Sequence, residues 1–234
     1  MIAWALEEAT AELRAGEAPE GLLCPAEREL FEALRVPKRR ADWLLGRSVV
    51  KKLCRARLRA RGGDAPLCDL AVVPAPDGSP RVLDARGEPL PITVSLSHRA
   101  GLAAAALCEG REAPLGVDIE LVETRSPGFA SDFFTEAEAI CLAHAAPWDR
   151  SRVETEIWSL KEATLKALRV GLRVDTRTVE VRPRAEARTG WAEARLVGRD
   201  PAKAFVRDVG GFVLALVWLG RAELAEPLEE VELR

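Results

Sequence analysis

The sequence predicts an α+β fold in which helices are followed by strands twice along the chain, which indicates two similar lobes. Two observations favour this fold class. Apolar residues recur at helical spacing over residues 37–61, and Gly62 and Gly63 follow that segment. The period then changes to short, turn-bounded runs typical of strands, and the same succession returns after a polar connector near residue 113.

The elements are predicted in the following order. In the first lobe, residues 1–112, helices cover 2–14, 25–34 and 37–61, and strands cover 67–73, 81–83, 92–97 and 102–107. In the second lobe, residues 113–234, a strand at 115–121 precedes helices at 135–145 and 152–168 and strands at 179–182, 192–197, 204–209 and 212–219. Gly210 and Gly211 between two apolar runs predict a hairpin.

Composition excludes several classes of protein. The 234 residues are 48% hydrophobic and 30% charged, which is ordinary for a globular protein with a buried core. The longest apolar run, 212–219, is far too short to span a bilayer, and the N-terminus lacks the basic and apolar regions of a signal peptide. We therefore expect a cytoplasmic protein with no membrane partner.

The metal-binding residue types point to a hard cation. Five cysteines form no CxxC pair, and the chain has only two histidines, His98 and His144. Neither a zinc cage nor a disulfide framework is indicated. Any metal is therefore expected to be bound by oxygen.

Charge is unevenly distributed. The chain carries a net −3, but residues 35–61 contain eleven basic side chains and one acidic one. This segment is either a solvated basic helix face or a site for an anion such as a nucleotide phosphate, nucleic acid or an acidic protein.

Asp118 and Glu120 lie two residues apart in the predicted strand 115–121, so their side chains point to the same face. Two carboxylates on one strand face repel each other unless a cation lies between them, and Mg²⁺ commonly takes one or two carboxylates together with substrate phosphates. The alternative is a solvent-facing strand with two acids of no function.

Glu162 and Lys166 are four residues apart in a predicted helix and therefore share one face. They form either a surface ion pair or part of a site. Only six of the 34 Lys and Arg residues are lysines, and Lys161 and Lys166 are two of these six. An ammonium group can donate a proton or bind a phosphate as a point charge, which favours the functional interpretation.

Ser97 and His98 end a predicted strand beside Arg99. No GxSxG elbow accompanies this pair, so phosphate binding suits it better than nucleophilic catalysis. A turn with local hydrogen bonds is the alternative.

Together these clusters resemble the 4′-phosphopantetheinyl transferases of the large, two-lobed surfactin-synthetase-activating type. The resemblance covers more than half of the chain. It rests on Lys38-Arg39-Arg40, Trp43-Leu44-Leu45-Gly46-Arg47, Gly78-Ser79-Pro80, Ser97-His98, Gly116-Val117-Asp118-Ile119-Glu120 and Trp158-Ser159-Leu160-Lys161-Glu162-Ala163 with Lys166.

The resemblance implies an enzyme that moves the phosphopantetheine arm of coenzyme A to a serine of an apo carrier protein and releases adenosine 3′,5′-bisphosphate. It implies a pseudo-dimer of two similar lobes, each with an antiparallel sheet against a long helix. By matching position, metal and catalytic roles fall to Asp118, Glu120 and Glu162, with Glu162 helping to deprotonate the serine and Lys166 protonating the leaving phosphate. Coenzyme contacts are implied for Arg40, Arg47, Gly78, Ser79, Pro80, Ser97, His98, Lys161 and Lys166.

Ser79 departs from the family pattern, in which many members have Lys or Arg, so an ionic contact to the adenosine end is not expected from it. The expected partner is an acidic acyl or peptidyl carrier protein, contacted near residues 126–134 unless Phe129, Phe133 and Phe134 are core. We expect a monomer. The alternatives are a metal-dependent nucleic-acid-binding protein or nuclease that uses residues 35–61, although an aromatic content of 5% leaves few stacking platforms, and a coenzyme-A-binding module without activity.

Overall fold

The computed structural model describes residues 1–111, 113–183, 189–197, 202–220 and 228–233. Within these ranges it has an α+β architecture, which confirms the predicted class. The elements in chain order are β1 (Ile2–Glu8), α1 (Ala11–Ala15), α2 (Pro25–Glu32), α3 (Pro37–Arg59), β2 (Ala71–Pro74), β3 (Pro80–Leu83), β4 (Ile92–Arg99), β5 (Leu102–Glu109), β6 (Leu115–Leu121), α4 (Phe129–Phe133), α5 (Glu136–His144), α6 (Arg150–Ala167), β7 (Val179–Arg182), β8 (Thr189–Leu196), β9 (Ala202–Val209), β10 (Phe212–Trp218) and β11 (Leu228–Glu230).

The chain divides into two compact units, Met1–Ala113 with Glu226–Arg234, and Pro114–Ala225. In the first unit a sheet has the order β11-β1-β5-β4, in which β1 is antiparallel to β5 and parallel to β11. Helix α3 packs against β1, β4 and β5. Its apolar face, including Leu44, Val49 and Leu53, joins the core of this unit.

The first predicted helix, 2–14, is wrong, because residues 2–8 form strand β1. Ile2, Ala3, Trp4 and Ala5 are all buried, so both faces of this strand are covered. A short run that is apolar on every position has no strand alternation, and periodicity alone does not distinguish it from helix. The expected strand at 67–73 also differs, since a 3₁₀ turn at Leu67–Asp69 precedes β2.

In the second unit an antiparallel sheet has the order β6-β10-β9-β8-β7, and α6 packs against β6 and β10. The predicted strands 115–121 and 179–182 coincide with β6 and β7. Gly210 and Gly211 form the β9–β10 hairpin turn at φ values of 51° and 91°, which the absence of a Cβ permits. None of the described helices is long and apolar enough to cross a membrane.

Candidate active site

Gly116 brings α6 unusually close to β6. A Cβ at this position would lie 1.8 Å from the carbonyl oxygen of Ala163 and 2.8 Å from the backbone nitrogen of Ala167. Only glycine permits such an approach of helix backbone to strand. Asp118 and Glu120 share the strand face of Gly116, so the side chains of α6 reach them.

Three carboxylates meet at this approach. Asp118 and Glu120 project from β6 and Glu162 from α6, and one oxygen of each lies within 4.8 Å of the other two. The Asp118 side chain is 1% exposed, Glu120 14% and Glu162 22%. The structure therefore brings together the three residues that the sequence proposed as metal ligands.

Lys166 lies beside these carboxylates. Its Nζ donates to Asp118 Oδ1 at 2.7 Å and to the carbonyl of Val117 at 3.2 Å, and it is 3.9 Å from Glu162 Oε2. Arg125 adds a weaker contact, with its Nη2 3.4 Å from Glu120 Oε2. The ammonium is thus placed where it can both balance the carboxylates and contact an anionic substrate.

Glu162 shows the effect of this crowding. Burial, together with the charges of Asp118 and Glu120, raises the pKa of Glu162 from 4.5 to about 7, although Lys166 opposes the rise. Without a bound cation its carboxyl is therefore partly protonated at neutral pH. A donor set made only of carboxylate oxygens suits a hard divalent cation, whose charge would remove the repulsion.

Lys161 does not face this cluster, which is at odds with its predicted phosphate contact. Its side chain is fully buried, and Nζ donates to both carboxylate oxygens of Glu138 and, at 2.6 Å, to the carbonyl of Val179. Burial lowers the pKa of Lys161, while Glu138 opposes that shift. Lys161 therefore joins α6 to α5 and β7 instead of lining a site.

In the first unit, the two candidate arginines differ in their surroundings. The guanidinium of Arg47 stacks over the ring of Trp43, donates to the carbonyl of Val72 at 3.1 Å, and has its Nε 3.5 Å from Glu27. Burial lowers the pKa of Arg47 to about 10. Its donors are thus largely engaged within the protein.

Arg40 is half-buried, and its Nη1 donates to the carbonyls of Phe31 and Leu34 at 3.1 Å, with its guanidinium over the Phe31 ring. Within the described residues no carboxylate is paired with it. Arg40 is therefore better placed than Arg47 to contact an anion.

The remaining candidates of the first unit are on turns and strand ends. Asp77 Oδ1 accepts from both the backbone N–H and the hydroxyl of Ser79, and Gly78 has a φ of 87°, so 78–79 form a tight turn before Pro80. His98 is exposed and Ser97 half-buried at the end of β4. Gly46 of α3 packs near Leu96 and His98.

Sequence reasoning missed Glu138 and the role of Gly116. Glu138 completes a capping box with Thr135 at the start of α5, and the Thr-x-x-Glu spacing was a visible signal for that role. Its partnership with Lys161 was not readable from spacing. Phe134, considered for carrier contact, is buried, while Phe129 and Phe133 pack on Trp158 at ring separations of 5.0 and 5.2 Å, so these aromatics are core.

Comparisons with known proteins show what the segment around this site is similar to. Residues 114–217 match the family model described as the 4′-phosphopantetheinyl transferase superfamily. This match lies within the second unit, and Asp118, Glu120, Glu162 and Lys166 all fall inside the matched residues. The match supports the activity of a holo-[carrier-protein] synthase, that is, a 4′-phosphopantetheinyl transferase.

A solved structure similar to this chain is that of Thermotoga maritima holo-[acyl-carrier-protein] synthase. The two are 22% identical over 54% of this chain and 77% of that chain, with a TM-score of 0.36. A comparison with curated proteins gave no match.

Proposed function

We propose that this protein transfers the 4′-phosphopantetheine arm of coenzyme A to a serine of an apo carrier protein and releases adenosine 3′,5′-bisphosphate. The observation that carries the proposal is the cluster of Asp118, Glu120 and Glu162 beside Lys166, inside the segment that matches the superfamily. The chemistry needs a place where pyrophosphate charge is neutralised and a serine proton is accepted, and this cluster offers both.

The three carboxylates fit Mg²⁺, since all the donors are oxygens and one of them, Asp118, is buried with its charge only partly balanced by Lys166. Mg²⁺ bound there would neutralise the pyrophosphate of coenzyme A and stabilise the charge that develops as it is cleaved. Glu120 is held toward the cluster by Arg125.

Within the reaction, Glu162 would accept the proton of the carrier serine, directly or through a water. Without a cation the pKa of Glu162 is about 7, and bound Mg²⁺ would lower it and keep the carboxylate ionised, able to accept this proton. The serine Oγ forms a bond to the β-phosphorus, and the bond from that phosphorus to the bridging oxygen breaks. Lys166 would donate a proton to the leaving phosphate of adenosine 3′,5′-bisphosphate, whose charge its ammonium also stabilises.

For the first unit we propose binding of the adenosine end of coenzyme A. The guanidinium of Arg40, which has no carboxylate partner among the described residues, supports a contact to the 3′-phosphate. Arg47 would contribute only by exchanging its contact with Glu27 for one with the phosphate. The turn at Gly78, Ser79 and Pro80 would border the adenine. Exposed His98, with Ser97, would contact phosphate.

We also propose that the two units are similar lobes of a pseudo-dimer and that the enzyme works as a cytoplasmic monomer. Each unit packs one long helix, α3 or α6, against an antiparallel strand pair, which supports the lobe similarity. All five cysteines are free thiols, which supports a reducing compartment. The partner would be an acidic acyl or peptidyl carrier protein.

The nucleic-acid alternative is not favoured by the structure. At least seven of the eleven basic residues in 35–61 have carboxylate partners, so part of the charge that would attract a polyanion is balanced within the protein. The pairs are Lys38–Asp42, Arg47–Glu27, Lys51–Glu27, Lys52–Glu7, Arg57–Glu229, Arg59–Asp64 and Arg61–Glu109.

The test is intact-mass analysis of apo carrier proteins incubated with the enzyme, coenzyme A and Mg²⁺. We expect the carrier to gain the mass of one phosphopantetheine arm. D118N should lower the loading rate by on the order of a hundredfold or more, because it removes charge from the metal site. E136Q, which alters an exposed glutamate of α5, is the matched control and should load carriers at the wild-type rate. Equal rates for D118N and E136Q would refute the site.

A further inference from the structure

Each unit contains a buried lysine held by a glutamate that also caps a helix. In the first unit, Glu27 of α2 accepts from the backbone N–H of Cys24 and of Val72, and from Nζ of Lys51 on α3. The Lys51 side chain is 0% exposed. One carboxylate thus joins a helix cap, a strand and the long helix.

The second unit repeats this arrangement. Glu138 of α5 accepts from the backbone N–H of Thr135 and of Val181, and from Nζ of Lys161 on α6, whose side chain is also 0% exposed. Lys51 and Lys161 therefore occupy corresponding positions on α3 and α6.

The hairpins beside these helices have the same register. Arg99 pairs with Leu102 across the β4–β5 turn, and Val209 pairs with Phe212 across the β9–β10 turn. Two residues with positive φ form the turn in each case. Leu102 and Phe212 are 110 residues apart in the sequence, and so are Lys51 and Lys161. One offset of 110 residues therefore relates both the long helix and the hairpin of the first unit to those of the second.

The first strands of the two units complete the correspondence. Ala103 of β5 lies opposite Glu7 of β1, and its counterpart Val213 of β10 lies opposite Glu120 of β6. Ala105 and Ala215 are likewise counterparts; Ala105 lies opposite Ala5, and Ala215 lies opposite Asp118. Glu7 is thus the counterpart of Glu120, and Ala5 that of Asp118.

On the helices, Lys52 follows Lys51 as Glu162 follows Lys161, so Lys52 is the counterpart of Glu162. Lys52 Nζ lies 2.6 Å from Glu7 Oε1, which also accepts from the hydroxyl of Ser48 at 2.7 Å. The side chain of Glu7 is 7% exposed. Its Oε2 is buried and has no hydrogen-bond partner among the described residues.

We propose that Glu7 and Lys52 are the first unit's version of the carboxylate site, in which a lysine ammonium takes the place of a divalent cation. This proposal rests on the proposed function only in treating the second-unit cluster as a metal site. The first unit has Lys52 at the position that corresponds to Glu162, and Ala5 at the position that corresponds to Asp118. It therefore lacks two of the three carboxylates, and the ammonium of Lys52 supplies the positive charge that balances Glu7. The buried Oε2 of Glu7, which has no hydrogen-bond partner among the described residues, is the oxygen that would bind a cation in a carboxylate site.

The test introduces carboxylates beside Glu7 at the positions that correspond to Glu162 and Asp118. K52E replaces the ammonium, whose Nζ lies 2.6 Å from Glu7 Oε1, with a second carboxylate near Glu7, and the two like charges should lower the thermal unfolding midpoint. Mn²⁺ should restore that midpoint. A5D/K52E should bind one more Mn²⁺ per chain than the same chain without these two substitutions, as measured by electron paramagnetic resonance. K52M is the matched control: it also removes the ammonium but adds no ligand, so Mn²⁺ should not rescue it.

All variants are built on D118N/E162Q, which disables the second-unit cluster, so that the first unit is measured by itself. If Mn²⁺ stabilises K52E no more than K52M, and A5D/K52E takes up no Mn²⁺, the proposal is overturned. Mn²⁺ binding to the wild-type chain, and its loss in D118N/E162Q, tests the second-unit site separately. Failure there refutes the metal site of the proposed function and leaves the first-unit result readable.

Discussion

Replacing Glu162 by glutamine should stabilise the metal-free protein while abolishing its response to metal. In the unfolded chain the carboxyl ionises near 4.5, whereas in the folded protein its pKa is about 7. The folded state binds more protons between these values, so the stability contribution of Glu162 is present below about pH 4.5 and is lost as the pH rises through about 7. E162Q carries no ionisable group there and escapes this loss.

A pKa difference of that size corresponds to about 3 kcal/mol. Without metal, the advantage of E162Q over wild type in free energy of unfolding should grow from under about 1 kcal/mol at pH 5 to about 3 kcal/mol at pH 8. Denaturant unfolding in the presence of a chelator measures this. Adding Mg²⁺ should stabilise wild type more at pH 8 than at pH 5 and leave E162Q nearly unchanged. An advantage that does not depend on pH would refute the reasoning, and E136Q provides the control.

Two further predictions concern residues that position the site. G116A should lower stability by about 1–3 kcal/mol or more, since its methyl group must displace the α6 backbone, and should slow carrier loading by on the order of a hundredfold through misplacement of Glu162. G128A, whose Cβ meets nothing closer than 3.6 Å, is the control, and equal behaviour of the two variants would contradict this role. K161M should lower stability by about 3–5 kcal/mol because it leaves Glu138 buried without its partner, and E138Q/K161M should recover part of that loss. The KM for coenzyme A should stay at the wild-type value in K161M at a temperature where it is folded; a large increase would restore the phosphate-binding interpretation.

Local periodicity explains what could be predicted of the fold. The strand β6 and the helix α6 were readable because alternation and helical spacing are properties of neighbouring residues. Strand β1 was not, because its identity depends on pairing with β5 more than ninety residues away and on burial of both faces. The C-terminal strand β11, which pairs with β1, was missed for the same reason.

For the candidate site, too, local spacing predicted which residues share a face, but not which faces meet. The sequence places Asp118 and Glu120 on one strand face and Glu162 and Lys166 on one helix face, and it proposed their meeting only through a family resemblance. It did not distinguish Lys161 from Lys166. Both are lysines of one helix, yet one is fully buried against Glu138 and the other lies 2.7 Å from Asp118.

The sequence by itself determined the residue types of the site, their spacing and the absence of soft metal ligands. Only the tertiary structure decided which lysine serves the site, how closely Gly116 lets α6 approach β6, and that the pKa of Glu162 rises to about 7. The physical reason is that these properties depend on burial and on charges brought together from β6 and α6. Such terms are set by the packing of distant segments, which no local pattern of residues encodes.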